Sequence, residues 1–538
     1  MNSEKRLLLA VSISMLIIIA YQFYAKQYTG YGQPHKGPVV SAECVPDVPS
    51  SLGGDVTASE IKQVYETKTL VNNNLRVELT TDGARAIAVD LLDYFDKSGS
   101  AQPLIEHNLK APSLFSITFL PDSAVARWDL VEASAISAVF KSRFSGVDIT
   151  KTIILSQDSN QMEMVLRFAN HAKHASTFQY QLYNGILAAG KGSMDSRYIG
   201  ADICFDNQII RRGISGKTLK GKESFFGSPA WVTTRGRYFS FIMKPKQPAQ
   251  SVSVQSKTKN DLFTSVVSEP IALMPDSTIE HRFLVYAGPN DIQKMLLFDP
   301  SAHSIIHYGF FNVIGKILFD GLKILYHITH NYGIAIILLS LLISIIMFPL
   351  SRKSLQSMKE MQKIQPETEA IRKQFSDNPQ KMNKEIMELY KRHKINPLGG
   401  CLPMLLQIPI FFSLYQVLLR SVELKGAGFL WIKDLAEPDA AFQLPTAVRS
   451  LPVIGTSVNI LPILMALAMV FQQKLSCGGS KQLSEQQRIM AVIMPIMFGL
   501  IFYNMPSGLV LYWFTNTMFM LFLQEVILKL PAFASDKC

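Results

Sequence analysis

The stretch YGIAIILLSLLISIIMFPL, residues 332–350, decides the fold of this chain, because it is apolar and contains no charged side chain. A helix of about 20 such residues crosses the hydrocarbon core of a bilayer. Four more apolar stretches of similar length follow it, at 399–420, 457–474, 489–504 and 507–528. The pattern predicts a core of five membrane-spanning helices over residues 331–530.

A sixth predicted span opens the chain. Lys5 and Arg6 precede an apolar run that ends at Tyr24, and the residues at its end are too large for signal-peptide cleavage. We therefore predict an uncleaved anchor over residues 1–24. A linker is predicted over residues 25–58, which are rich in Gly, Pro and Ser.

Charge predicts the orientation of the six spans. The chain has a net charge of +11, and its excess of Lys and Arg lies beside the spans. Basic residues collect on the cytoplasmic side of membrane proteins. An orientation with both termini in the cytosol, including a short tail at 531–538, satisfies this rule. Direct recognition of nucleic acid is the less favoured explanation of the charge.

Between the linker and the core, residues 59–300 have the alternating pattern of β-strands. Clear strands are predicted at Leu75–Leu79, Thr152–Leu155, Tyr238–Met243 and His281–Tyr286. Long helical patterns are scarce between them, so we predict a β-sandwich. Because it follows an anchor that starts in the cytosol, the sandwich would lie outside the cytosol.

An amphipathic helix is predicted over residues 301–330. Polar side chains such as His303, His307 and Lys316 recur mostly every four residues, with apolar side chains between them. Such a helix suits the membrane interface, and packing against the β-sandwich is the alternative.

The loop between the first two core spans, residues 351–397, is highly charged. It holds eleven Lys and Arg and six Asp and Glu, and the predicted orientation places it in the cytosol. Asn378 can cap a helix that starts at Pro379, which predicts a helical hairpin. We hypothesise that this hairpin binds ribosomes or targeting factors through basic side chains. They are Arg372, Lys373, Lys391 and Arg392.

Short motifs recur through the C-terminal part of the chain: NPLGGCLP at 396–403, QIPIFF at 407–412, SVEL at 421–424, LPI at 461–463 and PSGLVLY at 506–512. In this order and spacing they resemble the YidC family of membrane protein insertases, in the YidC/Oxa/Alb superfamily. The resemblance covers about 200 residues, and the large β-domain is similar to that of the Gram-negative branch.

The resemblance implies a multi-pass inner-membrane protein with a periplasmic β-supersandwich, an interfacial helix and a five-span core around a hydrophilic groove. The groove would open to the cytosol and to lipid. The implied function is insertion and chaperoning of nascent membrane proteins, alone or beside the Sec translocon (SecYEG and SecDF), in contact with membrane lipids. No nucleotide is needed, because burial of the apolar segment drives the step.

Polar side chains within the apolar spans are the candidate groove residues, because polar groups in lipid usually face protein or water. They are Ser340, Ser344, Gln407, Gln472, Gln473 and Asn516. A candidate slide for the substrate lies beside them: Ile408, Ile410, Phe411, Tyr512 and Trp513. Hydrogen bonding between helices and anchoring at the interface are the alternative roles. The family usually has an arginine where this chain has Ser344, so the groove here would be uncharged.

Signatures of enzyme chemistry are missing from the sequence. It has no GxxxxGK[ST] phosphate loop and no convincing hydrolytic triad, and its five cysteines lack metal-ligand spacing. We expect no enzyme activity, metal or cofactor. Two other functions stay open on the residues alone: a secondary transporter, and a glycan-binding module held on a membrane anchor. Internal repeats would favour a transporter, and we find none in the sequence.

Overall fold

The chain divides into two compact units between Ile306 and His307, which we call the β unit and the helical unit. The computed structural model describes residues 65–96, 99–105, 112–120, 127–185, 198–206, 208–213, 221–256, 262–393, 395, 402–443, 457–476 and 485–529. The predicted anchor (1–24), linker (25–58) and tail (531–538) lie outside the described residues.

Antiparallel strands make up most of the described residues of the β unit. They are β1 (Thr67–Val71), β2 (Leu75–Thr80), β3 (Arg85–Phe95), β4 (Ala101–Ile105), β5 (Ile117–Leu120), β6 (Asp129–Ala133), β7 (Ser137–Phe144), β8 (Val147–Leu155), β9 (Gln161–Asn170), β10 (Ser176–Tyr183), β11 (Gly200–Phe205), β12 (Gln208–Gly213), β13 (Gly221–Phe226), β14 (Trp231–Arg235), β15 (Phe239–Pro245), β16 (Ala249–Ser256), β17 (Phe263–Ser268), β18 (Ile271–Leu273) and β19 (Thr278–Pro289). A short helix, α1 (Ile292–Phe298), and a 3-10 helix, Ala302–Ile305, follow them. The four strands predicted from the sequence fall in β2, β8, β15 and β19, except that the predicted strand at β15 begins one residue early, at Tyr238.

The strands form three sheets. The largest has the order β12-β11-β14-β15-β19-β9-β8-β7-β6. The second has the order β13-β16-β17-β10-β18, with β5 also paired to β10, and the third has the order β1-β2-β3-β4. Side chains of β8 alternate between buried and more exposed positions, which is the period of two expected when one face of a strand lies in a core.

Side chains from the two larger sheets meet in a shared core. The hydroxyl of Tyr180 on β10 lies 2.7 Å from Nδ1 of His281 on β19. The hydroxyls of Thr234 on β14 and Thr264 on β17 are also 2.7 Å apart. Because these contacts run from one sheet to the other, the β unit is a sandwich of packed sheets, as the strand pattern predicts.

The helical unit contains the helices that follow. They are α2 (Asn312–Thr329), α3 (Tyr332–Lys363), α4 (Gln365–Gln374), α5 (Pro379–Arg392), α6 (Leu402–Arg420), α7 (Ile460–Ser476), α8 (Glu485–Phe502) and α9 (Ser507–Lys529). A 3-10 turn, Val422–Leu424, and two short strands, β20 (Phe442–Gln443) and β21 (Ser457–Val458), lie between α6 and α7. α9 packs against α3 and α7, and α6 packs against α2 and α3.

Helices occupy all five predicted core spans. Among the described residues, Tyr332–Ser354 is the one helical segment both long and apolar enough to cross a membrane. Shorter apolar helical segments occur at Leu405–Arg420, Ile460–Leu475 and Val492–Phe502. The helical architecture is therefore observed, whereas the count of six membrane crossings stays a prediction.

The amphipathic helix is shorter than the predicted range of 301–330, which is wrong at its start. α2 begins at Asn312, and Ala302–Ile305 is a separate 3-10 helix within the β unit. Gly309 has a φ of +80°, a left-handed conformation that no right-handed helix can pass through. The four-residue spacing of His303 and His307 therefore does not reflect a helix.

The charged loop also differs in detail from the predicted hairpin over 351–397. α3 runs through Pro349 and ends only at Lys363, well past the predicted end of the span. Pro366 lies in the first turn of α4 and has no N–H with which to continue the preceding helix. The predicted cap is present, because Oδ1 of Asn378 accepts a hydrogen bond of 3.1 Å from the N–H of Lys381. The hairpin is thus formed by α4 and α5.

Candidate functional site

Two serines one helical turn apart define the polar side of α3. Ser340 and Ser344 lie on the same face, because residues four apart in a helix are neighbours. Both are buried, together with Ile336, Leu339 and Ile343. The same face of α3 therefore carries the apolar contacts to the neighbouring helices and two hydroxyl groups among them.

These serines bond to α9. The Ser340 hydroxyl donates to the carbonyl oxygen of Tyr512 at 3.0 Å. The Ser344 hydroxyl lies 2.8 Å from Oδ1 of Asn516 and 2.7 Å from the carbonyl oxygen of Ser340. Buried polar groups are normally satisfied in this way, and side-chain hydrogen bonds between helices hold helix pairs together in membranes.

α6 joins the same cluster through one side chain. Nε2 of Gln407 donates to the phenol oxygen of Tyr512 at 2.5 Å. Tyr512 is only 1% exposed, and it bonds to both α6 and α3, through its phenol oxygen and its carbonyl oxygen respectively. We call Ser340, Ser344, Gln407, Tyr512 and Asn516 the polar cluster. It brings together four of the six groove residues predicted from the sequence.

The polar cluster is electrically neutral, and so are the apolar helices around it. No Asp, Glu, Lys or Arg occurs in the segments that surround it: 332–351, 402–419, 460–473, 489–502 and 507–524. The first charge beyond Ser344 on α3 is Arg352, about two helical turns away. Dipoles rather than ions therefore supply the polarity of this site.

The two remaining groove candidates lie further along α7. Gln472 and Gln473 are about 18 Å from the first residue of that helix, at 1.5 Å per residue. Both side chains are half-buried. Oε1 of Gln473 is buried and has no hydrogen-bond partner among the described residues. An unpaired buried amide oxygen costs free energy.

An aromatic cluster lies next to the polar cluster. The ring centroid of Trp513 on α9 lies 5.5 Å from that of Phe411 on α6. It lies 5.5 Å from the ring centroid of Phe498 and 5.4 Å from that of Phe502, both on α8. Such spacing is typical of favourable aromatic packing. Of the predicted slide residues, Phe411 and Trp513 come together here, Ile408 is exposed and Ile410 is half-buried. Tyr512 belongs instead to the polar cluster.

The four basic residues assigned to recruitment do not form one patch. Arg372 and Lys373 lie in the last turn of α4, and Lys391 and Arg392 lie in the last turn of α5. All four are exposed. Because α4 and α5 form a hairpin, the two pairs lie at opposite ends of α5, about 18 Å apart. Basic side chains at helix C-termini also stabilise the helix itself.

One feature of the helical unit could not be found from the sequence. Residues 434–443 bond to the starts of α7 and α9, and Asn459 bonds to the residue just after α8. Oδ2 of Asp439 accepts a hydrogen bond of 2.5 Å from the N–H of Leu461, at the start of α7. Nδ2 of Asn459 donates to the carbonyl oxygen of Tyr503 at 2.6 Å, just after α8. The N–H of Ser507, at the start of α9, donates to the backbone carbonyl oxygen of Glu437 at 2.8 Å. These bonds tie three helix ends together on the side where α3 begins, and they link residues too distant in sequence to form a local motif.

No group of three His, Cys, Asp or Glu side chains that could hold a metal occurs among the described residues. The arrangement of the helical unit is that of packed apolar helices with an internal polar cluster. Its chemistry is hydrogen bonding and desolvation.

Two family models match the chain. One, described as 60Kd inner membrane protein, covers residues 324–533, and the other, described as YidC periplasmic domain, covers residues 68–320. The chain is 30% identical to the membrane protein insertase YidC of Pelobacter propionicus, over 98% of this chain and 99% of the relative. It is 32% identical to the YidC of Geobacter sulfurreducens, over 71% of this chain and 68% of the relative. Identity to the YidC of Geotalea daltonii is 29%, over 98% of this chain and 100% of the relative.

Solved structures give weaker likenesses. An active YidC insertase crystal structure with its first transmembrane domain resolved is 16% identical and covers 86% of this chain and 92% of that chain, with a TM-score of 0.38. A putative aldose 1-epimerase from Escherichia coli is 10% identical and covers 42% of this chain and 99% of that chain, with a TM-score of 0.30. The sequence relatives, and not these structural likenesses, show the family to which the chain belongs.

Proposed function

Because the chain belongs to the YidC family of membrane protein insertases, we propose that it inserts membrane protein segments along the polar cluster between α3, α6 and α9. The family is one of inner-membrane proteins with a periplasmic domain, matched here over residues 68–320. Its activity is insertion, which is not an enzymatic reaction, and its clients are nascent membrane proteins. The route through the helices is our proposal.

The observation that carries this route is a hydrogen-bonded polar cluster inside otherwise apolar helices. A substrate helix gains free energy by entering lipid, but its polar flank must cross as well. Each charge at the centre of the bilayer costs about 2.5–3.5 kcal/mol on insertion scales. The amide of Gln407 and the amide of Asn516 can exchange their present hydrogen bonds for bonds to that flank or to water. Such exchange lowers the barrier without a nucleotide.

The neutrality of the cluster gives this chain a particular version of the mechanism. A groove with a fixed cation would favour acidic flanks, whereas Ser344 offers only a hydroxyl group. The polar cluster therefore lowers the cost of crossing for polar flanks of either sign. The apolar part of the substrate would pass beside Ile408, Ile410 and the aromatic cluster around Trp513.

The other assignments follow from the family and from charge. We propose six spans with both termini in the cytosol, and α2 in the membrane interface. Exposed apolar side chains at Val313, Ile317, Ile324 and Ile328 line one side of α2 and suit contact with lipid. Ribosomes or targeting factors would bind the α4–α5 hairpin, and the Sec translocon would be a partner for larger clients.

The route is tested by depleting the native protein and rescuing with variants, while scoring insertion of a small membrane protein by protease protection. We expect Gln407→Ala and Asn516→Ala each to slow insertion several-fold, because each removes an amide that can solvate the flank. Their double variant should be slower still. Thr517→Val is the matched control on α9, because the Thr517 hydroxyl bonds to Trp513 within the same helix. A double variant that inserts at the wild-type rate, at equal abundance, would overturn the route.

A further inference from the structure

A two-residue turn projects from the loop between α6 and α7. Phe429 and Ile432 form a β-bridge with two hydrogen bonds, of 2.8 and 2.9 Å, and Leu430 and Trp431 form the turn between them. Leu430 is 75% exposed and Trp431 is 42% exposed, whereas Ile432 is only 3% exposed. The turn therefore presents two large apolar side chains on a base that is itself buried.

The base of the turn is held against the first turn of α3. A Cβ atom added to Gly333 would lie 2.2 Å from the ring of Phe429, so glycine is required for this close approach. On the other side of the turn, Leu435 is fully buried, and its carbonyl oxygen accepts a hydrogen bond of 2.9 Å from Gly508 in α9. The turn is thus fixed in position by two of the apolar helices.

The backbone of the turn is unfavourable for the residue that it contains. Leu430 has a φ of +52°, in the left-handed region where glycine is the ordinary residue. A left-handed conformation is strained for a residue with a side chain, and such outliers often mark a functional position. The side chain of Leu430 is exposed, so packing inside the protein does not offset this cost.

The turn lies next to an exposed apolar surface of α3. Ile334, directly after Gly333, is exposed, and so are Leu338, Leu342 and Ile345 further along α3. Tyr326 and Tyr332 stack at the same end of α3, with ring centroids 3.9 Å apart. Tryptophan and tyrosine are enriched where a membrane span meets the headgroups. The turn therefore lies at the start of α3, where a membrane span of this helix would meet the headgroups.

We propose that Leu430 and Trp431 form a membrane anchor that inserts into the headgroup boundary of the bilayer at the end where α3 and α9 begin. That end is the periplasmic one in the orientation proposed above. The anchor would hold this end of the helical unit at a fixed depth. It rests on the membrane location of the helices and not on the route of insertion through the polar cluster.

Quenching of tryptophan emission tests the anchor in the full chain. The protein is reconstituted in phosphatidylethanolamine–phosphatidylglycerol vesicles that also contain phosphatidylcholine brominated either near the glycerol end or near the methyl end of the acyl chain. The emission of wild type minus that of Trp431→Phe reports Trp431 alone. We expect this difference to be quenched several-fold more by bromine near the glycerol end than by bromine near the methyl end or by aqueous acrylamide.

The control is Trp128→Phe, because Trp128 is buried in the β unit and its emission should respond to none of the quenchers. Emission from Trp431 that is quenched chiefly by acrylamide, chiefly by the methyl-end bromine, or by neither would overturn the proposal. These outcomes would place the turn in water, in the hydrocarbon core or against protein, and none of them depends on insertion activity.

Discussion

Lys151 on β8 is a fully buried lysine, and its surroundings explain how the β unit tolerates it. Its Nζ donates to the carbonyl oxygens of Ala84 at 2.7 Å and Phe115 at 2.5 Å, and lies 5.1 Å from the ring centre of Trp128. Ala84 and Phe115 both have positive φ, of 46° and 68°. The lysine therefore holds two chain segments with strained backbone against the largest sheet through hydrogen bonds.

Burial lowers the pKa of Lys151 well below its ordinary value, which gives a test by pH. In the unfolded chain the pKa returns to about 10.5, so the unfolded state binds one more proton throughout the interval between the two pKa values. Stability then rises with pH through that interval. We expect Lys151→Met to abolish this rise, and to destabilise the β unit by about 2 kcal/mol at neutral pH through its unpaired carbonyl groups.

Urea unfolding of the full chain in detergent, followed by tryptophan emission, measures both effects. Lys141→Met is the matched control, because Lys141 is exposed on the neighbouring strand β7. It should keep the wild-type dependence on pH. A wild-type stability that stays flat or falls as pH rises toward 10.5 would contradict the burial argument.

The sequence identifies some residues of the candidate site but not all of them. Ser340, Ser344, Gln407 and Asn516 stand out as polar residues in apolar stretches, and the structure brings them together. The resemblance to the family places Tyr512 on the slide, and an aromatic residue near a span end carries no sequence signal for the burial that the structure shows. Its place in the polar cluster depends on Gln407, a residue more than one hundred positions away, and such long-range pairing is invisible in one sequence.

Among the elements, the helices and strands follow from periodicity and composition, but their ends do not. The apolar run at 332–350 marks α3, yet α3 continues to Lys363 because the charged residues after Pro349 are also good helix formers. α2 starts late because Gly309 is left-handed and Oδ1 of Asn312 accepts a hydrogen bond of 2.9 Å from Tyr308. Local helix-breaking residues and caps determine where these helices end, and the four-residue spacing of polar side chains does not show those positions.

The α4–α5 hairpin gives a prediction at this scale. Because its two basic pairs lie about 18 Å apart, they would act through separate contacts with a ribosome. We expect Arg372→Glu with Lys373→Glu, and Lys391→Glu with Arg392→Glu, each to weaken cosedimentation with ribosomes partly, and the fourfold variant to weaken it more strongly. Added salt should weaken wild-type association in the same direction, because it screens exposed charges.

Circular dichroism of the variants controls for the hairpin itself, since acidic residues at helix C-termini are unfavourable. Full ribosome association and full insertion by the folded fourfold variant would end the recruitment hypothesis. Loss from one pair alone would locate the binding surface at one end of the hairpin.

At the scale of the whole molecule, the change from alternating strand patterns to apolar spans predicts a β-sandwich over residues 59–300, followed by an interfacial helix at 301–330 and a membrane core. The chain divides between Ile306 and His307, six residues beyond the predicted end of the sandwich, because the polar residues near 303 have the spacing of the helix that follows. The 3-10 helix Ala302–Ile305 belongs to the β unit because Ala302 and Ile305 are buried in a core with Trp231 and Tyr286. Contacts between distant residues set this boundary.

The division leads to a prediction about the β unit. Every member of the polar cluster and of the aromatic cluster lies in the helical unit, and every hydrogen bond given above for the polar cluster is made within it. We therefore expect a chain that lacks residues 60–290 to retain most of its insertion of a small membrane protein. The measurement is rescue after depletion, scored by protease protection at matched abundance in the membrane. The same deletion carrying Gln407→Ala and Asn516→Ala is the control and should insert slowly. If the deletion alone abolished insertion while the shortened chain reached the membrane, the β unit would have to take part in the reaction itself, and the polar cluster would not be a sufficient route.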